Sequence, residues 1–360
     1  MKFSLGYTPH TLQFKFDART SRGAISEHKV YYLKLWQEDQ PEKVGIGECA
    51  PLAGLSIDDR PDLEQQLQQV CRQVSSGEVS IGVEDGKANL SELRLEGWPA
   101  LQFALETALL DWQNGGKRQI YDNGFSRGEA GISINGLIWM GNRDFMQEHI
   151  RKKLQEGYTC LKLKIGSLDF TTELEILQSI RETASAAELT VRVDANGAFL
   201  PQEAFKKLER LAKYDLHSIE QPIKQGQPEQ MAQLCAYTPV PIALDEELIG
   251  VEQMEKTALL EIIKPQYIIL KPTLVGGLAA SADWIQQAEE RGIGWWVTSA
   301  LESNIGLNAI SQFTSNYNIS MPQGLGTGQL YHNNISSPLQ IAQGELWYRQ
   351  VDVWGVSEIL

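Results

Sequence analysis

Hydrophobic and polar positions along the chain fall into two regimes. Up to about residue 120 the pattern is mixed. LQFKF and KVYYLKLWQ alternate like strands, DARTSRGAISE lies between them as a loop, and GIGECAPLAGLS follows, rich in Gly and Pro. Two helical stretches come next, DDRPDLEQQLQQVCRQV and WPALQFALETALLDW. In the second, Leu101, Ala104, Leu105, Ala108 and Leu109 recur at helical spacing and make one apolar stripe. Residues 1–120 therefore read as a small α+β domain.

From about residue 131 the pattern becomes periodic. ISINGLIW, CLKLKIG, LTVRVDA, LHSIEQP, VPIALDE, QYIILKP, GWWVTSA and QGLGTG start near 132, 160, 189, 216, 240, 266, 294 and 323, a mean step of about 27 residues. Amphipathic stretches such as TTELEILQSIRETA and PQEAFKKLERLAKY fill the gaps. Eight strand-like units with helices between them predict a parallel (β/α) barrel over residues 121–330, with a doubly wound open sheet as the competing arrangement. The tail, about residues 331–360 and ending LWYRQVDVWGVSEIL, is expected to return to the first domain.

Composition narrows the function classes. A chain of 360 residues with 42% hydrophobic content has ample core for a barrel and an added domain. The net charge of −14 disfavours a nucleic-acid or anionic-membrane partner. Cys49, Cys71, Cys160 and Cys235 form no CxxC pair and read as reduced thiols of a cytoplasmic protein. The five histidines form no HxH or HxxxH pattern, which argues against a histidine zinc site. The N-terminus lacks the apolar core of a signal peptide, and no apolar run is long enough to span a membrane.

The charges that stand out lie at the ends of the apolar runs, where barrel chemistry collects. The second run ends with Lys162 and Lys164, the third with Asp194, the fourth with Glu220, the fifth with Asp245 and the sixth with Lys271. From Asp194 onward each step is about one βα unit, so these residues share one register. A lone carboxylate at a strand end is ordinarily a helix cap, and a lone lysine there is ordinarily solvated. A consecutive series of lysine, Asp, Glu, Asp and lysine is a site. Three carboxylates at one depth make an oxygen cage for Mg²⁺, with Mn²⁺ as a substitute. Asn196 and Glu246 are expected to support it.

Lys162 and Lys164 share one strand face, so each ammonium sits beside a like charge. That proximity, with partial burial, is expected to keep Lys164 partly neutral, as a general base must be. A carboxylate-bearing substrate on the metal would lose its α proton and give an enediolate.

KLK at 162–164, VDANG at 193–197, EQP at 220–222, DEE at 245–247 and KPTLVGG at 271–277 together resemble the muconate-lactonizing branch of the enolase superfamily, and the likeness covers essentially the whole chain. The resemblance implies a modified TIM barrel, (β/α)₇β, with an N-terminal α+β capping domain. It implies Mg²⁺ on Asp194, Glu220 and Asp245, with Lys164 and Lys271 on opposite sides of the substrate and Lys162 beside them. TSRGAISEHK, GIGECAPLAGLS, INGLIWMG, TSALESNIGLNAI and GLGTGQLYHNN resemble the subgroup that dehydrates 2-succinyl-6-hydroxy-2,4-cyclohexadiene-1-carboxylate in menaquinone biosynthesis. GLGTG stands where the dipeptide epimerases of the branch carry Asp-x-Asp, so no carboxylate is offered to a substrate ammonium. The partner implied is therefore a small dicarboxylate.

The segments Asp17–Ser26, with Ser21 and Arg22, and Gly47–Ser56 are expected to wall the site from the capping domain as mobile lid and second wall. Ser299, Gly326 and Thr327 are expected to hold the succinyl carboxylate through approaching backbone N–H groups. Trp139, Trp295 and Trp296 read as packing residues. N-succinylamino acid racemization and muconate cycloisomerization need the same metal and lysines and stay open. A non-catalytic barrel that binds a metal and an acidic metabolite is the alternative of another class. Oligomeric state is not readable from the chain.

Overall fold

The structure is a computed structural model that describes residues 2–20, 23–139, 141–350 and 353–359. Three antiparallel strands open the chain: β1 (Ser4–Thr20), β2 (Gly23–Gln37) and β3 (Gln40–Cys49). Helix α1 (Leu63–Ser76), the hairpin β4 (Gly82–Glu84) and β5 (Lys87–Asn89), and helix α2 (Pro99–Gln113) complete the first unit. The expected loop at 17–26 is narrower than its sequence indicates. Pairing is interrupted between Gln13 and Ala18 and then resumes as Ala18 with Ile25, Arg19 with Ala24 and Thr20 with Gly23. An irregularity of this kind breaks the period-two alternation that marks a strand in sequence.

Helix α2 carries more than one apolar stripe. Leu101, Ala104, Leu105, Ala108 and Leu109 enter the core of the first unit, while Phe103 and Leu110 enter the core of the barrel. The helix lies directly on β3, where a Cβ at Gly45 would stand 2.0 Å from Ala108 O and one at Gly47 1.9 Å from Ala104 O. The glycines of GIGEC therefore belong to a strand under a closely approaching helix.

The second unit begins with β6 (Ile132–Ser133) and β7 (Gly136–Ile138). It continues through α3 (Arg143–Gln155), β8 (Cys160–Lys164), α4 (Phe170–Thr183), β9 (Thr190–Asp194), α5 (Pro201–Leu211) and β10 (Ser218–Glu220). Next come α6 (Pro228–Tyr237), β11 (Ile242–Leu244), α7 (Lys256–Ile263), β12 (Tyr267–Leu270), α8 (Pro272–Val275), α9 (Gly277–Glu290), β13 (Gly294–Val297) and α10 (Asn304–Thr314). Strands β7 to β13 pair in chain order in one seven-stranded parallel sheet. The eighth unit is reduced to two parallel bridges, Thr298 with Gly324 and Ile134 with Gln323, which join the two edges of the sheet into a ring. That arrangement is the expected (β/α)₇β barrel, and it sets aside the open sheet.

After the barrel, Tyr331 bridges to Phe14 of β1, and Tyr331, Ile335 and Ile359 pack with Leu12, Val30 and Tyr32. Between them, β14 (Leu339–Ala342) and β15 (Glu345–Tyr348) form a hairpin that pairs with β6 instead. All four cysteines are free. Among the described residues no helix is long and apolar enough to cross a membrane.

Candidate active site

The parallel register aligns the charged ends of β8, β9 and β10. Lys164 of β8 lies opposite Asp194 of β9, and Asp194 lies opposite Glu220 of β10. Asp245 and Lys271 follow directly after β11 and β12. Lys162 Nζ stands 3.0 Å from Asp194 Oδ2 and 2.5 Å from Glu220 Oε2. Lys164 Nζ stands 2.6 Å from the same Asp194 oxygen and 3.0 Å from Asn196 Oδ1. Lys271 Nζ donates to Asp245 Oδ2. The six side chains are between 0% and 11% exposed, so these are ion pairs largely out of water.

The electrostatics follow from that crowding. Burial pushes the Glu220 carboxyl well above the usual range, and repulsion from Asp194 and Asp245 pushes the same way. Asp194 and Asp245 lie below that range, because the lysine charges outweigh burial in each case. Burial acts to lower Lys162, but Asp194, Glu220 and Asp245 outweigh it and hold the ammonium well above the usual lysine range. Lys271 is raised in the same way, with Asp245 as its main partner. The sequence expectation set Lys162 beside Lys164 as a like charge, and the structure adds carboxylate partners to it. Two carboxylates within 3.0 Å satisfy the Lys162 charge, and alternation along one strand does not reveal its cross-strand partners.

The supporting residues also meet. Asn196 has a left-handed φ of 44° that lets its backbone N–H reach Asp194 Oδ1 at 2.9 Å, while its side chain donates to Glu246 Oε1 at 3.0 Å. Sequence reasoning missed Gln221, in the left-handed region at φ 38°. Its side-chain oxygen accepts from Asp245 N at 3.2 Å, and its Nε2 donates to Glu247 Oε2 at 3.0 Å. Its place inside EQP is the signal that marks it. Arg192 was missed as well. Two residues before Asp194 on the same strand face, its guanidinium lies 4.1 Å from the centroid of the Trp296 ring and Nη1 donates to Pro322 O at 2.8 Å.

As placed, no three carboxylate, imidazole or thiol groups among the described residues surround one point. The carboxylate oxygens face ammonium groups instead. The donor set nevertheless fits a hard divalent cation. Three carboxylates come from the carboxyl ends of adjacent strands, Asp194 directly opposite Glu220 and Asp245 just past β11, and Glu220 Oε1 is buried without a hydrogen-bond partner. The repulsion that raises Glu220 is what a cation among the three would relieve.

The opposite rim of the barrel mouth is built differently. Ser299 and Thr327 meet there, with Thr327 Oγ1 donating to Ser299 Oγ at 2.8 Å. Ser299 donates in turn to Glu302 Oε2 at 2.6 Å, so the hydroxyl protons of both residues are engaged within the protein. Gly326 lies beside them, and a Cβ there would meet Ile134 at 3.5 Å. Ser21 and Arg22 lie outside the described residues. The Gly47–Ser56 segment is strand through Cys49 and then a compact turn, closed by Ser56 N to Leu52 O at 2.9 Å. Across a cleft of about 440 Å³ the Pro51–Ala53 turn faces Ile25 and His28 of β2. A wider cleft of about 1040 Å³ opens between the β4–β5 hairpin and α8–α9 and touches none of the charged strand ends. Trp139 and Trp296 are buried packing residues, as expected, and Trp295 is partly exposed against Tyr317.

Comparison with known proteins places this geometry. Residues 145–351 match the enolase C-terminal domain-like family. The chain is 47% identical to an o-succinylbenzoate synthase of Desulfotalea psychrophila over 363 aligned positions, covering 95% of this chain and 98% of that one. The crystal structure of MenC from the same organism superposes with a TM-score of 0.84 at 44% identity, covering 96% of this chain and all of the other. An N-succinylamino acid racemase of Thermus thermophilus is 29% identical over 82% of this chain and 77% of its own length.

Proposed function

This chain belongs to the enolase C-terminal domain-like family, and from that premise we propose that it is an o-succinylbenzoate synthase. The observation that carries the reading is 47% identity across 95% of the chain, with the paired lysines and three carboxylates in place at the barrel mouth. The reaction is loss of water from 2-succinyl-6-hydroxy-2,4-cyclohexadiene-1-carboxylate to give o-succinylbenzoate, which makes the enzyme a carbon–oxygen lyase. Its place is menaquinone biosynthesis in the cytoplasm.

Asp194, Glu220 and Asp245 are the residues that would hold Mg²⁺. The cation supplies Lewis-acid charge next to a substrate carboxylate, which makes the α proton removable. Asn196, through Asp194 and Glu246, and Gln221, through Asp245, fix the carboxylates. Lys164 is the base. Its Nζ lies at the open end of β8, takes the proton α to the ring carboxylate and returns a proton to the departing hydroxyl on the same face. Lys271 faces the other side, remains charged and stabilises the enediolate, with cation–π contact to the ring. Lys162 stays an ammonium between Asp194 and Glu220 and balances their charge. Formation of the aromatic ring makes the elimination downhill, so modest help from each group suffices.

N-succinylamino acid racemization is the second reading. The similarity to the Thermus thermophilus racemase favours it, as does the placement of Lys164 and Lys271 on strands that flank the carboxylates. The deciding experiment follows the cyclohexadiene by ultraviolet absorbance with Mg²⁺ and with a chelator. Fast, metal-dependent loss of the diene supports the synthase. Absence of turnover, with exchange of the α proton of N-succinylphenylglycine, overturns it in favour of the racemase. Metal-dependent ligand binding without either turnover leaves a non-catalytic barrel.

A further inference from the structure

One buried carboxylate outside the charged strand ends ties three successive barrel turns together. Glu302 is 0% exposed and lies in the turn after β13. Its Oε1 accepts from Thr273 Oγ1, and its Oε2 accepts from Ser299 Oγ at 2.6 Å and from Ala300 N at 2.8 Å. Thr327 reaches the same carboxylate through Ser299. Side chains from the ends of the sixth, seventh and eighth units therefore close on a single group. Every one of these contacts is a donor, as a buried carboxylate needs.

The Thr273 end of this network leads to Lys271. Thr273 is the second residue of α8, and the N–H groups of Leu274 and Val275 bond to Lys271 O at 2.7 and 3.1 Å. The turn that Thr273 belongs to is thus built on the peptide of Lys271. The other end leads to the first unit of the chain. Ser303 follows Glu302 and caps α10, and its N and Oγ donate to Glu48 of β3 at 2.8 and 2.6 Å. Gly306 N adds a third bond to Glu48 at 2.7 Å.

We infer that Glu302 is a positioning residue of the reaction: through Thr273 it fixes the turn on which Lys271 is mounted, and through Ser303 and Glu48 it ties that turn to the N-terminal sheet. This rests on the proposed role of Lys271. Loss of the tie leaves the ammonium attached and charged but free to shift. Small misplacements of a group at a reacting centre are costly in rate, up to about a hundredfold for 1 Å.

The test uses Thr273→Val, which removes one hydroxyl and preserves shape, with Lys271→Ala as the reference. Turnover of the cyclohexadiene is measured together with the rise in thermal midpoint on adding Mg²⁺. Thr273→Val is expected to lose about tenfold in kcat, with KM changed less than about twofold and the Mg²⁺-induced rise intact. Thr273→Ser is expected to restore kcat to within about twofold of wild type. Glu302→Gln carries the same expectation where the valine variant does not fold. In a double-mutant cycle, Glu48→Gln and Thr273→Val are expected to be non-additive in kcat. Wild-type kcat in Thr273→Val beside an inactive Lys271→Ala overturns the inference alone. Failure of Thr273→Ser to rescue, or loss of the Mg²⁺-induced rise, also overturns it, since either marks general disorder of the barrel mouth. Full activity of Lys271→Ala overturns both this inference and the reading of the site on which it rests.

Discussion

Asp245→Asn separates the two tasks asked of the carboxylates. Asn keeps the shape and removes the charge. Without a cation, the change leaves the Lys271 ammonium in a barely exposed position without its main partner. Breaking a buried pair in this way costs about 3–5 kcal/mol. One term works in the opposite direction. Asp245 is among the charges that drive Glu220 upward, so its removal relaxes Glu220. The expected loss in chelator is therefore at the low end, about 3 kcal/mol. With a cation the comparison changes. A ligand at a hundred times its Kd stabilises the native state by about 2.7 kcal/mol. The wild type should gain this at saturating Mg²⁺, and the Asn variant, with two charged ligands left of three, should gain less than about 1 kcal/mol at the same concentration. Thermal unfolding with and without Mg²⁺, in wild type and variant, measures all four quantities. An Mg²⁺ increment in Asp245→Asn equal to that of wild type would refute the assignment of Asp245 as a ligand. A wild type with no increment at millimolar Mg²⁺ would refute the cage as a whole.

Lys164→Ala is expected to lower kcat by about 10²–10⁴ or more while leaving the Mg²⁺ increment in place; wild-type turnover in that variant contradicts its role as base. Gly47→Ala forces a methyl to within 1.9 Å of Ala104 O and 2.7 Å of Thr107 Oγ1. It should destabilise the protein by about 3 kcal/mol or more, read by urea denaturation, and an unchanged midpoint would contradict the α2–β3 packing. Glu106 is buried and its carboxyl is pushed up to about 7 from 4.5 by burial, against the N–H groups of Leu278 and Ala279. A raised carboxyl pKa means the native state holds its proton more tightly, so this contribution is present below 4.5 and lost as pH rises through about 7. Glu106→Gln should flatten the fall in stability over that window, and an unaltered slope would show that other groups carry it.

The barrel was legible because its signal is repeated. Charged residues at the ends of apolar runs, one βα unit apart, have one common explanation, and Lys162, Lys164, Asp194, Glu220, Asp245 and Lys271 do meet in space. What stayed hidden depends on partners far away in sequence. That Lys162 answers to Asp194 and Glu220 is a cross-strand fact. Gln221 and Asn196 work through left-handed backbone, which a sequence does not display for residues other than glycine. Ser299 and Thr327 meet in space, but the Ser299 hydroxyl proton goes to Glu302 and that of Thr327 to Ser299, partners the sequence does not display. The eighth strand was counted as a strand equal to the rest, although only its first two residues pair. GIGECAPLAGLS stands out in sequence as rich in Gly and Pro, and the structure shows that Gly45 and Gly47 serve a helix lying on the strand.

The same contacts bear on whether the barrel can stand alone. Helix α2 gives Phe103 and Leu110 to the barrel core while its other face fills the first unit. Glu106 of α2 accepts from the N–H groups of Leu278 and Ala279 at the start of α9. Glu48 of β3 accepts from Ser303 and Gly306 at the start of α10. Cutting the chain after residue 120 would expose an apolar face of the barrel and leave the first turns of two helices without their carboxylate acceptors. Each unmet buried donor costs about 1–3 kcal/mol, and there are several, against a total stability of about 5–15 kcal/mol. Residues 121–360 expressed alone should therefore show no cooperative thermal transition. Co-expression with residues 1–120 should restore one. A barrel fragment that unfolds cooperatively by itself, near the midpoint of the full chain, would mean that these carboxylates and the shared helix contribute far less than their burial and hydrogen bonds indicate.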